Sequence, residues 1–122
     1  MSNFRELMGV RQSKMELGVA EDLQNLGFNI SMSETFLLKL PDNPFYLERR
    51  EIPTYPDISL LDYDLHTYID GWEVHKNRVE KDKFLRKLLA EQYPVQVLPI
   101  GYRRYSKKRR KEIVAEIVEA TK

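Results

Sequence analysis

Two stretches of the chain carry residues whose types and spacing could do chemistry. The first is Pro56-Asp57; the second runs Tyr68-Ile69-Asp70-Gly71-Trp72-Glu73-Val74-His75. An acid after a proline at a strand start, a second acid at a later strand end and a nearby histidine suit metal-assisted cleavage of a phosphodiester. Such a diester resists attack because it is anionic. Carboxylates on neighbouring strands can hold Mg²⁺, which neutralises charge and makes water more acidic. A histidine can then take up a proton or support the leaving oxygen. The chain has no cysteine and two histidines. That excludes thiolate zinc sites, iron–sulfur clusters, cysteine nucleophiles and histidine-rich metal sites. A metal would be held mainly by oxygen, which points to Mg²⁺, with Mn²⁺ the alternative.

The charge distribution supplies a second clue. The chain carries 20 Lys+Arg against 19 Asp+Glu, a net of +1. The segment Gly101–Lys111 concentrates Arg103, Arg104, Lys107, Lys108, Arg109, Arg110 and Lys111, with no acid among them. The remainder is left with 13 positive against 19 negative charges, a net of −6. Clusters of this kind mark nucleic-acid contact, and Tyr102 and Tyr105 could pack on sugar or base. A solvated basic helix start is the plainer alternative. Cations at a helix N-terminus oppose its positive partial charge, and a phosphate lying against them would relieve this.

These residues need elements to position them. The 122 residues and 42% hydrophobic content suit one soluble globular domain. No apolar run approaches the roughly 18 residues that span a bilayer, so no membrane role is expected. The opening MSNFRELMGVRQ lacks a signal-peptide pattern, and a cytoplasmic location is the expectation.

The first segment reads as helical in two pieces, with Gly9 between them. In the second piece Ser13 and Glu16 form a capping box, Leu17, Ala20, Leu23 and Leu26 the apolar stripe, and Gly27 the stop. FNISMSETFLLKL reads as one strand or two short ones, and the proline-rich PDNPFYLERREIPTYP as a surface loop or extended arm. Ile58–Leu61 and Leu65–Ile69 read as two short strands around an Asp-rich turn, or one bent strand. Alternation from Leu61 onward predicts a half-buried strand. Asn77–Gln92 reads as a helix burying Val79, Phe84, Leu85, Leu88 and Leu89. Val95–Ile100 reads as a strand. A helix capped by Ser106 follows, with Ile113, Val114, Ile117 and Val118 inward. The whole predicts a single α/β domain over 1–122, a small mixed sheet flanked by helices, with a basic helix at about 101–122.

The order of these motifs resembles the PD-(D/E)XK endonuclease superfamily, and within it the very-short-patch-repair branch. The resemblance covers roughly the first hundred residues. It runs from Ser13-x-x-Glu16 with Leu23 and Leu26-Gly27, through Pro56-Asp57, Ile69-Asp70-Gly71 and His75, to Asp82, Arg86, Leu89 and the strand VQVLPI. It implies a restriction-endonuclease-like fold and a metal-dependent DNA endonuclease that nicks or cuts both strands. Asp57 would be the principal metal ligand, the Ile69 carbonyl a second, and Asp70 would sit beside the metal. His75 would be the catalytic histidine, and Glu16 an acid facing the site from the first helix. Arg103 to Lys111 would hold DNA phosphates. Two departures stand out: Tyr68 occupies the place of an acid in E-x-D-G, and Trp72 the place of the motif lysine. They keep a catalytically inactive DNA-binding module in view, and a protein-interaction domain contacting an acidic partner is a third reading. Cutting both strands would call for a homodimer, the commonest symmetric assembly.

Each residue also has a structural explanation. Asp57 and Asp70-Gly71 suit turns, and Glu16 completes the capping box. His75 suits a helix start, and His66 a second-shell or structural place on the polar face of its strand. Asp82 and Arg86 suit a helix-surface ion pair, and Trp72 packing on the domain.

Overall fold

The computed structural model describes residues 13–40, 45 and 49–122. The first helical piece expected before Ser13 lies outside the described residues. Helix α1 (Lys14–Asn25) is followed by strands β1 (Ile30–Ser31), β2 (Phe36–Lys39), β3 (Glu51–Thr54) and β4 (Ile58–Leu60). A 3₁₀ turn at Leu61–Tyr63 leads into β5 (Leu65–Gly71). Then come α2 (Trp72–His75), α3 (Val79–Gln92), β6 (Gln96–Tyr102) and α4 (Lys107–Ala120). The fold is mixed α/β around a four-stranded sheet in the order β1-β4-β5-β6. β1–β4 and β4–β5 are antiparallel, and β5–β6 is parallel. A parallel pair needs a crossover, and α3 supplies it.

Local chemistry explains the ends of α1. The Ser13 side chain accepts from the Glu16 backbone, and the Glu16 carboxylate accepts from the Ser13 N–H. At the other end Gly27 has φ +94°, the Gly27 N–H donates to the Gln24 carbonyl, and the Phe28 N–H to that of Leu23. This double return needs a left-handed residue, which glycine adopts without Cβ strain. Ser106 caps α4 by accepting from the Arg109 N–H at 3.0 Å.

Alternation along β5 sends side chains to both faces of the sheet. Leu65 and Ile69 join Met15, Val19 and Leu23 of α1 and Ile113 and Ile117 of α4. Tyr68 joins Leu38 and Ile52 of the β2–β3 ribbon and Leu89 of α3. β5 is therefore a central strand covered on both sides. His66, Thr67 and Tyr68 are all buried, so the expected half-buried strand is corrected. The His66 Nδ1 lies 2.7 Å from the Ser59 hydroxyl, and the Phe36 ring meets its edge, which satisfies a polar ring inside a core.

Other expectations are also corrected. The apolar stripe of α1 runs through Met15, Val19, Ala20 and Leu23, whereas Leu17 and Leu26 are 52% and 62% exposed. Part of the expected loop is strand β3, paired antiparallel with β2. A separate short helix, α2, begins directly after Gly71, and the predicted 77–92 helix is α3, which starts at Val79. Of the five apolar residues expected to be buried on it, only Leu89 is fully so; the other four are partly buried. β6 continues past Ile100 to Tyr102, held in register by β5 as far as Gly71.

These placements set stability. Leu23→Ala opens a cavity and is expected to cost about 2–5 kcal/mol in denaturant unfolding, against about 0.5 or less for Leu17→Ala. Burial lowers the pKa of His66 from its ordinary 6.5, partly offset by Glu34 and Asp64. The unfolded chain then takes up the proton first, so stability falls as pH drops below about 6.5. His66→Asn, which retains a polar atom near Ser59, is expected to flatten that slope in unfolding curves measured across pH.

Candidate functional site

The C-terminal ends of the parallel pair β5–β6 carry the site. Asp70 is opposite Gly101 in the register. Side-chain alternation puts Asp70 on the same sheet face as Tyr68 and α3. Because α2 starts at Trp72, the chain turns back over this end and brings His75 to Asp70. The His75 Nδ1 lies 2.6 Å from the Asp82 Oδ2 and 4.0 Å from the Asp70 Oδ1. Ligand atoms of Asp70, His75 and Asp82 all lie within 4.8 Å of one another.

This donor set fits a small divalent cation. Oxygen and nitrogen ligands at about 2.1 Å place opposite donors about 4.2 Å apart, close to the span seen here. Two carboxylates supply the charge, and the imidazole adds a donor that Mn²⁺ accepts more readily than Mg²⁺ does.

Arg86 completes the cluster. Its Nη1 donates to the Asp70 Oδ2 and its Nη2 to the Asp70 Oδ1, both at 2.7 Å. The same guanidinium lies 4.4 Å from the centroid of the Tyr68 ring. As i, i+4 neighbours on α3, Asp82 and Arg86 could pair with each other on the helix surface. Instead each reaches another element, Asp82 to His75 and Arg86 to Asp70. Their i, i+4 spacing was visible in the sequence; the choice of partner depends on where α3 crosses the sheet.

Asp57 sits on the other edge of β5. Its N–H donates to the Thr67 carbonyl, and its Oδ2 accepts the Ile69 N–H at 2.7 Å. The pairing of β4 with β5 ends at Ile58–Thr67, so Asp57 continues the ladder by one side chain. The backbone groups of one strand residue point to the same edge, so the Ile69 carbonyl also faces Asp57's side. Asp57 is not one of the three clustered residues. Both Asp57 and Asp70 nevertheless act on Tyr68. Burial pushes the Tyr68 phenol up to about 12, aided by the two carboxylates and opposed by the Thr54 hydrogen bond and Arg86. The phenol and the Thr54 hydroxyl are 2.5 Å apart. Position 68 therefore holds a neutral buried phenol.

Glu16 is buried at the start of α1 and completes the capping box. The Tyr102 hydroxyl donates to Ser13 Oγ at 3.4 Å and lies 3.3 Å from where a Gly71 Cβ would sit. The α1 N-terminus therefore abuts the end of β5. Glu16 itself is not among the cation-ligand cluster.

Two open clefts meet at Asp70. One, about 400 Å³, is lined by Asp70, Trp72, His75, Tyr102, Arg103 and Arg109. The other, about 370 Å³, is lined by Asp70, His75, Lys83, Arg86, Pro99 and Gly101. Trp72 is 40% exposed, and the Arg103 guanidinium lies 5.5 Å from its ring centroid.

The seven cations of the basic segment divide into two kinds. Arg110 forks onto both oxygens of Asp22, and packs so closely that a Cβ on Gly18 would lie 2.8 Å from its Nε. Arg110 holds the Asp22 carboxyl below its ordinary pKa. Arg109 donates to the Gly101 carbonyl and pairs with Glu112 and Glu116. These two join elements of the fold. Arg103, Arg104, Lys107, Lys108 and Lys111 remain solvent-exposed beside the first cleft or on the start of α4. The cost of a basic helix start is thus met in part by Asp22, Glu112 and Glu116.

The buried phenol gives a direct check on this geometry. An alkaline absorbance titration is expected to show one tyrosine ionising near pH 12, absent in Tyr68→Phe. Since the folded pKa lies above the unfolded value of about 10, this residue's stabilising contribution is lost as pH rises past 10. No protein-family model, no curated protein and no solved structure matches the chain.

Proposed function

We propose that the protein is a metal-dependent DNA endonuclease of restriction-endonuclease-like type. The observation that carries this is the Asp70–His75–Asp82 cluster, of which Asp70 and His75 line a cleft that Arg103 also lines. The acidic group would take Mg²⁺ or Mn²⁺, and the basic wall would take the anionic substrate. When bound, the cation supplies charge neutralisation at the phosphate and a more acidic water. The protein's own residues do the rest. Asp70, fixed by Arg86, and Asp82 present carboxylate oxygens from two elements. His75 is oriented by its 2.6 Å contact with Asp82. Asp57 holds the open edge of β5 beside the Ile69 carbonyl.

DNA would lie across the exposed cations Arg103, Arg104, Lys107, Lys108 and Lys111, which give affinity without sequence information. One domain of this size covers little DNA, so nicking suits a monomer and cutting both strands a homodimer.

A non-catalytic DNA-binding module is the second reading. Two observations favour it: both Asp70 oxygens are taken by Arg86, and Tyr68 stands where an acid would supply a further ligand.

Plasmid nicking in Mg²⁺ or Mn²⁺ separates the two. Asp70→Asn and Asp82→Asn are each expected to lower the nicking rate at least about 100-fold, as loss of a metal ligand or its support does elsewhere. Nicking at an unchanged rate in both purified variants overturns the endonuclease assignment; salt-sensitive DNA binding with no nicking in either metal establishes the module. Charge removal at Lys107, Lys108 and Lys111 together is expected to reduce the slope of log affinity against log salt by about 2 to 3.

A further inference from the structure

We infer that Arg86 is a resident counter-ion that couples divalent-cation binding at Asp70 to the arrival of a phosphodiester. The inference rests on the cation site proposed above and assigns that site its regulation.

The geometry sets the conflict. Arg86 engages both oxygens of Asp70 in a fork, and the Oδ1 it holds is the oxygen that lies 4.0 Å from His75 Nδ1. The oxygen facing the cation group is thus already paired with a cation. Both side chains are largely shielded, each 13% exposed, so water screens them poorly. A divalent cation sharing Asp70 would sit beside the positively charged Arg86 guanidinium. Like charges at that distance repel, and the free protein is therefore a weak cation binder.

Arg86 has limited ways to withdraw. Its flat face is against the Tyr68 ring at 4.4 Å, and Tyr68 is fixed by Thr54 and by burial between two packed layers. What relieves the repulsion is an anion. Arg86 opens onto the cleft that also holds His75 and Lys83. A phosphodiester entering there offers oxygens that a guanidinium binds in the same forked manner as a carboxylate. The phosphate then offsets the charge of Arg86 where it stands, and its repulsion of a cation at Asp70 falls. By linkage, phosphate tightens cation binding and the cation tightens phosphate binding by the same factor. Substrate-free protein would hold little metal, and the metal would assemble only where a phosphate is present.

The test is calorimetry of the full chain with Mn²⁺, alone and with saturating dimethyl phosphate or a short DNA duplex carrying phosphorothioate linkages. In the native chain the anion is expected to tighten Mn²⁺ binding at least about 5-fold, within the usual range of coupling. Arg86→Gln is expected to bind Mn²⁺ alone about 10-fold tighter than the native chain and to show no tightening by the anion. Arg86→Lys keeps the charge, so its coupling is expected to survive; it also serves if Arg86→Gln fails to fold by thermal melting. Mn²⁺ binding to Arg86→Gln no tighter than to the native chain, or coupling lost in Arg86→Lys, overturns the inference. Asp70→Asn distinguishes the two levels. If it binds Mn²⁺ like the native chain, the cation site itself is refuted, and the coupling with it. If it loses Mn²⁺ while Arg86→Gln is unchanged, the site stands and the coupling alone is overturned.

Discussion

The parallel pairing of β5 with β6 is the constraint from which the rest of the structure follows. Its seven registered pairs run from Leu65–Gln96 to Gly71–Tyr102. Two parallel neighbours cannot be joined by a tight turn, so the chain must leave β5, cross one face of the sheet and return. The crossing is α3. It brings Arg86 and Asp82 over the end of β5, while α2 brings His75. Asp70 thereby gains two partners, Arg86 and His75, neither of which is its neighbour along the strand.

Burial of β5 on both faces adds a second requirement. A central strand can carry His66, Thr67 and Tyr68 only if each polar atom is matched. The Thr67 hydroxyl donates to the Ile58 carbonyl at 2.8 Å, and Ser59 and Thr54 serve the other two. Each face of β5 therefore combines an apolar cluster with polar side chains that have hydrogen-bond partners. This places a rigid, hydrogen-bonded platform under Asp70, which holds a carboxylate more firmly than a loop would.

Electrostatics divide the basic segment in a way that a charge count does not show. Arg109 and Arg110 tie α4 to β6 and α1, and the Asp22–Arg110 fork requires Gly18 because any side chain there would meet the guanidinium. Partly exposed pairs of this kind contribute little to stability, so their main effect is to fix the orientation of α4. The other five cations are exposed, and Arg103 among them lines the cleft. A positive face next to an acidic cluster suits a phosphate chain that must meet a cation.

Much of this was legible in the sequence because it is local. The Ser13–Glu16 capping box, the Gly27 stop and the Ser106 cap are decided by residues within a turn or two, where side chain and backbone are in reach whatever the fold does. Helical periodicity likewise marked Ile113 and Ile117 as buried. Asp57, Asp70 and His75 could be singled out by type and order. The sequence by itself determined these local ends, the succession of elements and the uneven charge. It did not determine which face of α1 is buried, that β5 is covered on both sides, or that Arg86 and Asp82 part company. The Arg86–Asp70 fork joins residues 16 apart and the Arg110–Asp22 fork residues 88 apart. Such pairs form only after the sheet and helices have packed, because packing alone brings their side chains within reach. Only the tertiary structure could therefore decide that Asp70, His75 and Asp82 share one site, and that a guanidinium already stands in it.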